Sequence, residues 1–265
     1  MDAARLIDYF KKFDGAAVAF SGGVDSSVVA AAAYRALHDR ALAVTVASEL
    51  VPESDILAAS EIARTIGIKH HIARVEALGN EAVAKNPPDR CYHCKSDDFG
   101  AIRKAASGYG ISDIFDGTNH DDASAYRPGL KALSEMGIRS PLRELKINKA
   151  GVRKIAAELG LPNSERPSSP CLASRFPYGT RITKEAIARV AAAEEFLRAM
   201  GFKVLRVRDH GGIARIEVEK DALPAILEAG EKIVAKLRSL GYNYVVLDLE
   251  GFRSGSMDIN LGKQP

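Results

Sequence analysis

Seven residues, Ser21-Gly22-Gly23-Val24-Asp25-Ser26-Ser27, stand between a short apolar run, Ala16 to Phe20, and a stretch, VVAAAAYRAL, that reads as a helix. Strand, glycine turn and helix in that order let the backbone amides of the turn and of the helix N-terminus converge on an anion, with the Ser26 and Ser27 hydroxyls beside them. Phosphate is the guest such a site suits; the bland alternative is a glycine-serine turn that binds nothing. The lysine of the GxxxxGK[ST] nucleotide loop is missing, which argues against a kinase or GTPase grip on a transferred γ-phosphate.

The rest of the chain repeats the strand-helix rhythm. Ala41 to Ala47 reads as a strand, Ser54 to Ile66 as a helix closed by Gly67, and Ile68 to Val75 as another strand. An irregular stretch holding Asn86-Pro87-Pro88 precedes a helix expected over Lys95 to Ser107, a strand over Asp113 to Phe115, and a helix that Asn148 caps and Gly160 stops. This alternation predicts an α/β fold whose parallel sheet carries helices on its faces. The proline-bearing loop Leu161 to Ser174 suggests a boundary, giving a main domain over 1–170 and a smaller α/β domain over 171–265. In the smaller one we expect a helix from Thr183 to Met200, a hairpin around His210-Gly211-Gly212, a helix over Ala222 to Leu240 and a strand over Tyr244 to Leu249.

Composition closes off several classes. With 265 residues, 46% hydrophobic and 27% charged, a folded and cytoplasmic protein is expected rather than a disordered one, and no apolar run reaches the ~18 residues of a membrane span. A net charge of +3 is too small to argue for nucleic acid, Trp is absent, and no aromatic-basic stripe is seen. The three cysteines cannot all pair with one another. Cys91 and Cys94 form a CxxC around Tyr92 and His93, and Cys171 stands alone. Three thiolates suit a [4Fe-4S] cluster with one iron left open; an unmetallated buried CxxC, a thiol redox pair and a zinc site with a fourth ligand such as His120 are the other readings.

Two more clusters carry chemistry. Asp116-Gly117-Thr118-Asn119-His120-Asp121-Asp122 follows a strand, at the end of an open sheet where ligands bind; it reads as Mg²⁺ coordination and substrate positioning or as an Asx-rich turn. Asp25 either serves the loop's own hydrogen bonds or stands near a metal. In the hairpin, Leu205 and Val207 oppose Arg206 and Arg208, while Ala214, Ile216 and Val218 oppose Arg215 and Glu217. One face therefore holds three guanidiniums and a carboxylate, either clamping a phosphate or carboxylated substrate or forming a solvated outer face. Ser174 and Arg175, next to Cys171, would extend such an anion site. His70 and His71 are given no role.

The loop resembles the SGGxDS signature of the N-type ATP pyrophosphatases, or PP-loop proteins, which split ATP between the α and β phosphates and place AMP on a substrate oxygen. Taken with RCYHCK at Arg90, DGTNHDD at Asp116, SPCLASRFPYGTRIT at Ser169 and RVRDHGGIARIEV at Arg206, nearly the whole chain resembles the LarE family, ATP-dependent sulfur-insertion enzymes of nickel-pincer nucleotide biosynthesis. The resemblance implies adenylylation of a carboxylate of pyridinium-3,5-dicarboxylic acid mononucleotide, a small-molecule nucleotide, followed by displacement of AMP by sulfur. It implies ATP and Mg²⁺, with Ser21, Gly22, Gly23, Asp25, Ser26, Ser27, Gly117 and Thr118 at the nucleotide, and Asp25 and Asp121 at the metal. Ser174, Arg175, Arg206, Arg208 and Glu217 fall to the substrate or phosphate, and Glu194 is matched to the same site. Cys171, Asp25 and Glu217 are the catalytic candidates. Family members with one cysteine sacrifice its sulfur; those with three, matching Cys91, Cys94 and Cys171, are thought to carry sulfide on a [4Fe-4S] cluster. A homo-oligomer without membrane is expected, and the sulfur donor is left open. Alternatives are a transfer RNA thiolase, an ammonia-using synthetase of the NAD or GMP type, and a non-enzymatic nucleotide or metal carrier.

Overall fold

The computed structural model describes residues 2–124, 128–164, 170–253 and 255–257. The chain folds into two units, Met1–Ala77 with Asp89–Ser169 and Leu78–Pro88 with Pro170–Pro265. In chain order the first unit holds α1 (Asp2–Phe10), β1 (Ala16–Ala19), α2 (Val24–Leu37), β2 (Ala41–Ala47), α3 (Glu53–Ile66) and β3 (Lys69–Arg74). The chain leaves for the second unit through α4 (Glu81–Ala84), then returns with α5 (Arg90–Gly108), β4 (Ile114–Phe115), α6 (Pro128–Glu135), α7 (Pro141–Glu144) and α8 (Lys149–Glu158).

The first unit's sheet runs β3-β2-β1-β4, with all pairs parallel. Small and β-branched residues suit strands covered on both faces, and alternation sends successive side chains to opposite sides. Ala16, Val18, Ala41 and Ala43 join Leu6, Phe10, Val28, Ala32 and Ile155 on one face. Ala17, Leu42 and Val44 join Phe99, Ile102 and Leu133 on the other. The alanines of α2 are buried along Ala30 to Ala33, so that helix lies close against its neighbours. Phe10, Phe13 and Phe115 close the lower edge, with Phe115 centred 4.9 Å from each of the other two rings. The expected parallel α/β architecture is therefore present.

The second unit holds α9 (Lys184–Ala199), β5 (Leu205–Asp209), β6 (Ile213–Val218), α10 (Leu223–Glu228), α11 (Gly230–Ser239) and β7 (Tyr244–Leu247). β5 and β6 pair antiparallel and β7 joins β6 in parallel. Leu205, Val207, Ala214, Ile216 and Val218 face Ala193, Leu197, Ile233 and Leu237. The excursion Leu78–Pro88 adds to this unit through backbone bonds from Gly179 to the Asn86 carbonyl and from Ile182 to the Ala84 carbonyl, both 2.8 Å.

Two expectations are corrected. The continuous helix over Ala222 to Leu240 is broken, because Ala229 takes φ −84° and ψ 7° and Gly230, a poor helix former, starts α11. The residues around the CxxC, expected to be irregular as far as Lys95, are already helical from Arg90. Among the described residues no helix is long and apolar enough to cross a membrane.

Candidate active site

Strand order reverses at β1, whose neighbours are β2 on one side and β4 on the other. Loops leaving the adjoining carboxyl ends of β1 and β4 therefore flank the crevice where open α/β sheets bind ligands. Those loops are Ser21–Ser27 and Asp116–Asp122. Gly22 has φ +70°, and a Cβ there would stand 2.8 Å from Ala59 Cα, so the turn requires glycine twice over. A Cβ on Gly117 would meet Ser26 N at 2.8 Å, which means that the second loop lies directly against the first turn of α2.

Gly23 is the N-cap of α2 and makes no side-chain cap. The first-turn amides and the positive end of the helix are thus left for a ligand, as an anion site requires. The serine hydroxyls play a different part from the one expected. Ser26 donates to the Gly23 carbonyl at 3.1 Å and accepts the Ser21 amide at 3.3 Å. Fully buried Ser27 accepts from Asn163 Nδ2 at 2.9 Å, and the same amide group reaches the Gly22 carbonyl at 2.9 Å. Both hydroxyls brace the loop from within.

Asp25, in the first turn of α2, accepts from Asn119 Nδ2 at 3.1 Å and from Lys149 Nζ. Lys149 is the first residue of α8, where Asn148 caps by accepting the Gly151 amide at 2.9 Å, and its own amide donates to Asp121 Oδ2 at 2.9 Å. The second loop is knitted by Asn119 N to Asp122 Oδ2 at 3.1 Å and by Thr118 Oγ1 to Asp116. Burial pushes the Asp116 carboxyl above the usual carboxylate range, against the pull of its Thr118 hydrogen bond. The Lys149 ammonium, the Asn119 carboxamide and the Asp25 and Asp121 carboxylates thus gather beside an uncapped helix end. Lys149, Asn163 and the pairing of Asn119 with Asp25 were not foreseen; Lys149 follows a residue read only as a cap.

Cys91 and Cys94 occupy the first turns of α5, three residues apart and on one helical face. Arg90, buried, lies 3.8 Å from the Cys91 sulfur, and the Cys94 thiol donates to Asp98 at 3.8 Å. All three cysteines are free, and each is half-buried. Among the described residues no three His, Cys, Asp or Glu side chains form a ready metal-binding group. Cys171 is in the second unit, at the head of the short turn Leu172–Arg175. Ser169, which opens the SPCLASR motif, lies outside the described residues.

The arginine face in the second unit is closed by the chain itself. β5–β6 register sets Arg206 opposite Glu217 and Arg208 opposite Arg215. Glu217 has no exposed surface; Arg208 NH2 reaches its Oε2 at 2.7 Å, while Arg215 NH2 and Ser256 Oγ reach its Oε1 at 3.2 and 2.7 Å. Arg208 also donates to the Ser174 carbonyl at 2.9 Å, and Arg215 to Asp248 at 2.9 Å. Arg206 differs: it bonds the Leu205 carbonyl and stacks on Phe252, with its charge centre 5.1 Å from the ring. Burial, with Arg175 nearby, lowers its pKa to about 10, against the opposing pull of Glu194. Arg175, expected to extend the anion site, spends its guanidinium on Glu194 and on the backbone around Cys171.

Residues 15–115 match a family model described as asparagine synthase. Over 98% of this chain and 95% of its own length, the pyridinium-3,5-bisthiocarboxylic acid mononucleotide synthase of Lactiplantibacillus plantarum is 40% identical. An uncharacterized protein of Synechocystis is 41% identical over 98% of this chain and 97% of its own length. A tRNA-specific 2-thiouridylase of Xanthobacter autotrophicus is 31% identical, over only 57% of this chain and 49% of its own.

Proposed function

The chain belongs to the LarE family, and on that premise we propose that it uses ATP to insert sulfur into a carboxylated pyridinium mononucleotide during nickel-pincer cofactor synthesis. The observation that carries this reading is the anion cradle at the N-terminus of α2, with Asp25 and Lys149 poised beside it. A carboxylate oxygen of the substrate attacks the α-phosphorus, the bond to the bridging oxygen breaks, and pyrophosphate leaves. Sulfur then attacks the acyl carbon and AMP leaves, giving a thiocarboxylate. The first step converts a poor leaving group into a good one.

Amides of the α2 first turn and the Lys149 ammonium meet the charge that builds on pyrophosphate, a preorganised arrangement that costs no reorganisation during reaction. Asp25 and Asp121 are the hard oxygen donors that would hold Mg²⁺, which would neutralise further charge on the leaving group. Gly117 and Thr118, against α2, border the nucleotide. Arg206, the guanidinium without a carboxylate in its described contacts, receives the phosphate or carboxylate of the substrate, and Arg208, Glu217 and Ser174 fix the wall behind it.

The thiols fit a cluster in number and type. Cys91 and Cys94 would supply a pair from one helical face and Cys171 a third donor, and none is held in a disulfide. A [4Fe-4S] cluster on three thiolates would leave one iron open to carry sulfide. The protein acts in the cytoplasm, as a homo-oligomer. The tRNA-specific 2-thiouridylase of Xanthobacter autotrophicus matches 57% of this chain, whereas the synthase of Lactiplantibacillus plantarum matches 98%.

Anaerobic reaction with ATP, Mg²⁺, sulfide and the dicarboxylated nucleotide tests the proposal. It expects AMP, pyrophosphate and thiocarboxylate by mass spectrometry, all dependent on the acceptor. ADP formation, or AMP release indifferent to the acceptor, would refute it.

A further inference from the structure

We infer that Arg175 is a positioning residue for Cys171: its guanidinium holds the two peptide groups flanking the cysteine and so sets the direction in which the thiol leaves the chain. The inference deepens the reading above, in which Cys171 handles sulfur, and it rests on contacts within the second unit alone.

Arg175 NH1 donates to the Pro170 carbonyl at 2.9 Å and to the Cys171 carbonyl at 3.2 Å. The first oxygen belongs to the peptide plane before the Cys171 Cα and the second to the plane after it. With both planes held, the Cα–Cβ direction is fixed, and the sulfur keeps only its choice among three staggered χ1 positions. Ser174 tightens the second plane, since its amide and its hydroxyl donate to the Cys171 carbonyl at 3.1 and 2.9 Å, and NH1 also reaches that hydroxyl at 2.9 Å.

The other edge of the guanidinium is anchored. Nε and NH2 meet Glu194 Oε1 and Oε2 at 2.8 and 3.0 Å, a bidentate fork on a carboxylate with no exposed surface. Glu194 sits on α9, and its Oε1 also accepts the Val207 amide of β5 at 3.1 Å. The loop at Cys171 is thereby referenced to a helix and a strand of the core. Arg175 is itself 1% exposed and its donors are engaged, so it holds the loop rather than an anion. A lysine cannot replace it, because a single ammonium cannot span the carboxylate and the loop carbonyls together.

The test uses the full chain with Cys91→Ser and Cys94→Ser, so that Cys171 is its only thiol. Iodoacetamide labelling is followed without ATP, iron or substrate. Arg175→Lys should raise the Cys171 labelling rate about tenfold, because the flanking planes open locally. Leu197→Ala, in the same core, serves as the control for general destabilisation, and should leave the rate close to the parent's. Should Arg175→Lys not fold, Glu194→Gln, which weakens the fork while keeping its shape, is expected to move the rate in the same direction. Labelling of the folded Arg175→Lys protein at the parent's rate would overturn the inference, as would equal acceleration by Leu197→Ala. Because no chemistry is read, failure here leaves the sulfur-insertion proposal standing, and failure of that proposal leaves the labelling result intact.

Discussion

An aspartate in the first turn of a helix faces the partial positive charge of the helix end, and Asp25 meets a full charge as well in Lys149. Both side chains keep contact with solvent, so the pair itself adds little stability, and a ligand can compete for either member. Replacing Lys149 by Met should therefore lower the rate of AMP formation by about 10²-fold, the cost of losing one preorganised charge at a leaving group, while the melting temperature stays nearly unchanged. Measuring AMP formation and thermal unfolding on the same sample separates the two effects. The glycine loop was legible because one short segment holds its strand, turn and helix. Lys149 and Asn163 were not, since they reach Asp25 and Ser27 from 124 and 136 residues away. The alternation of the hairpin likewise named the arginine face correctly, but Asp248 and Ser256, which close it, lie on a later segment that no period connects to it.

At the scale of elements, α8 delivers Lys149 from its first position, and the Asn148 cap holds that end of the helix. Asn148→Ala should cost about 1 kcal/mol of stability by freeing the Gly151 amide. It should also raise the KM for ATP, because the ammonium loses its fixed origin; thermal unfolding and steady-state kinetics report the two. The Asn148 cap was readable from sequence, as were the strands of the parallel sheet. The start of α5 was not: Asp89 makes no side-chain cap, and the two prolines before it suggested an irregular chain, although Cys91 and Cys94 are one helical turn apart. A helix start without a capping side chain leaves little for pattern reading to find.

For the molecule as a whole, each unit holds one histidine whose protonation is disfavoured by partial desolvation and neighbouring groups. His70 is held below its ordinary value of 6.5 by burial, then by His71; His210 is held below 6.5 by burial, then by Arg215. Thr45 gives its only proton to the Phe20 carbonyl at 2.7 Å, so His70 Nε2 must be the donor in its 2.8 Å bond to Thr45. Below pH 6.5 the unfolded chain binds protons that the folded chain refuses. Stability therefore falls as pH drops from 6.5 toward the lowered folded values, and these two groups add no slope above that window. Melting temperatures across this range should show that fall, and a His70→Asn, His210→Asn double variant should flatten it. The second unit resumes at Pro170, inside the proline-bearing loop before Cys171. The excursion of Leu78–Pro88 into the second unit was not legible in the sequence, because Asn86 and Glu81 meet the Pro177 carbonyl and Arg181 from 91 and 100 residues away, beside backbone bonds that any sequence can make.

The most direct measurement of the central claim is the fate of a carboxylate oxygen. With ¹⁸O in the substrate's carboxyl groups, the account predicts one labelled oxygen in each AMP released and none in pyrophosphate. Unlabelled AMP, or label in a phosphate product formed alongside ADP, would contradict it.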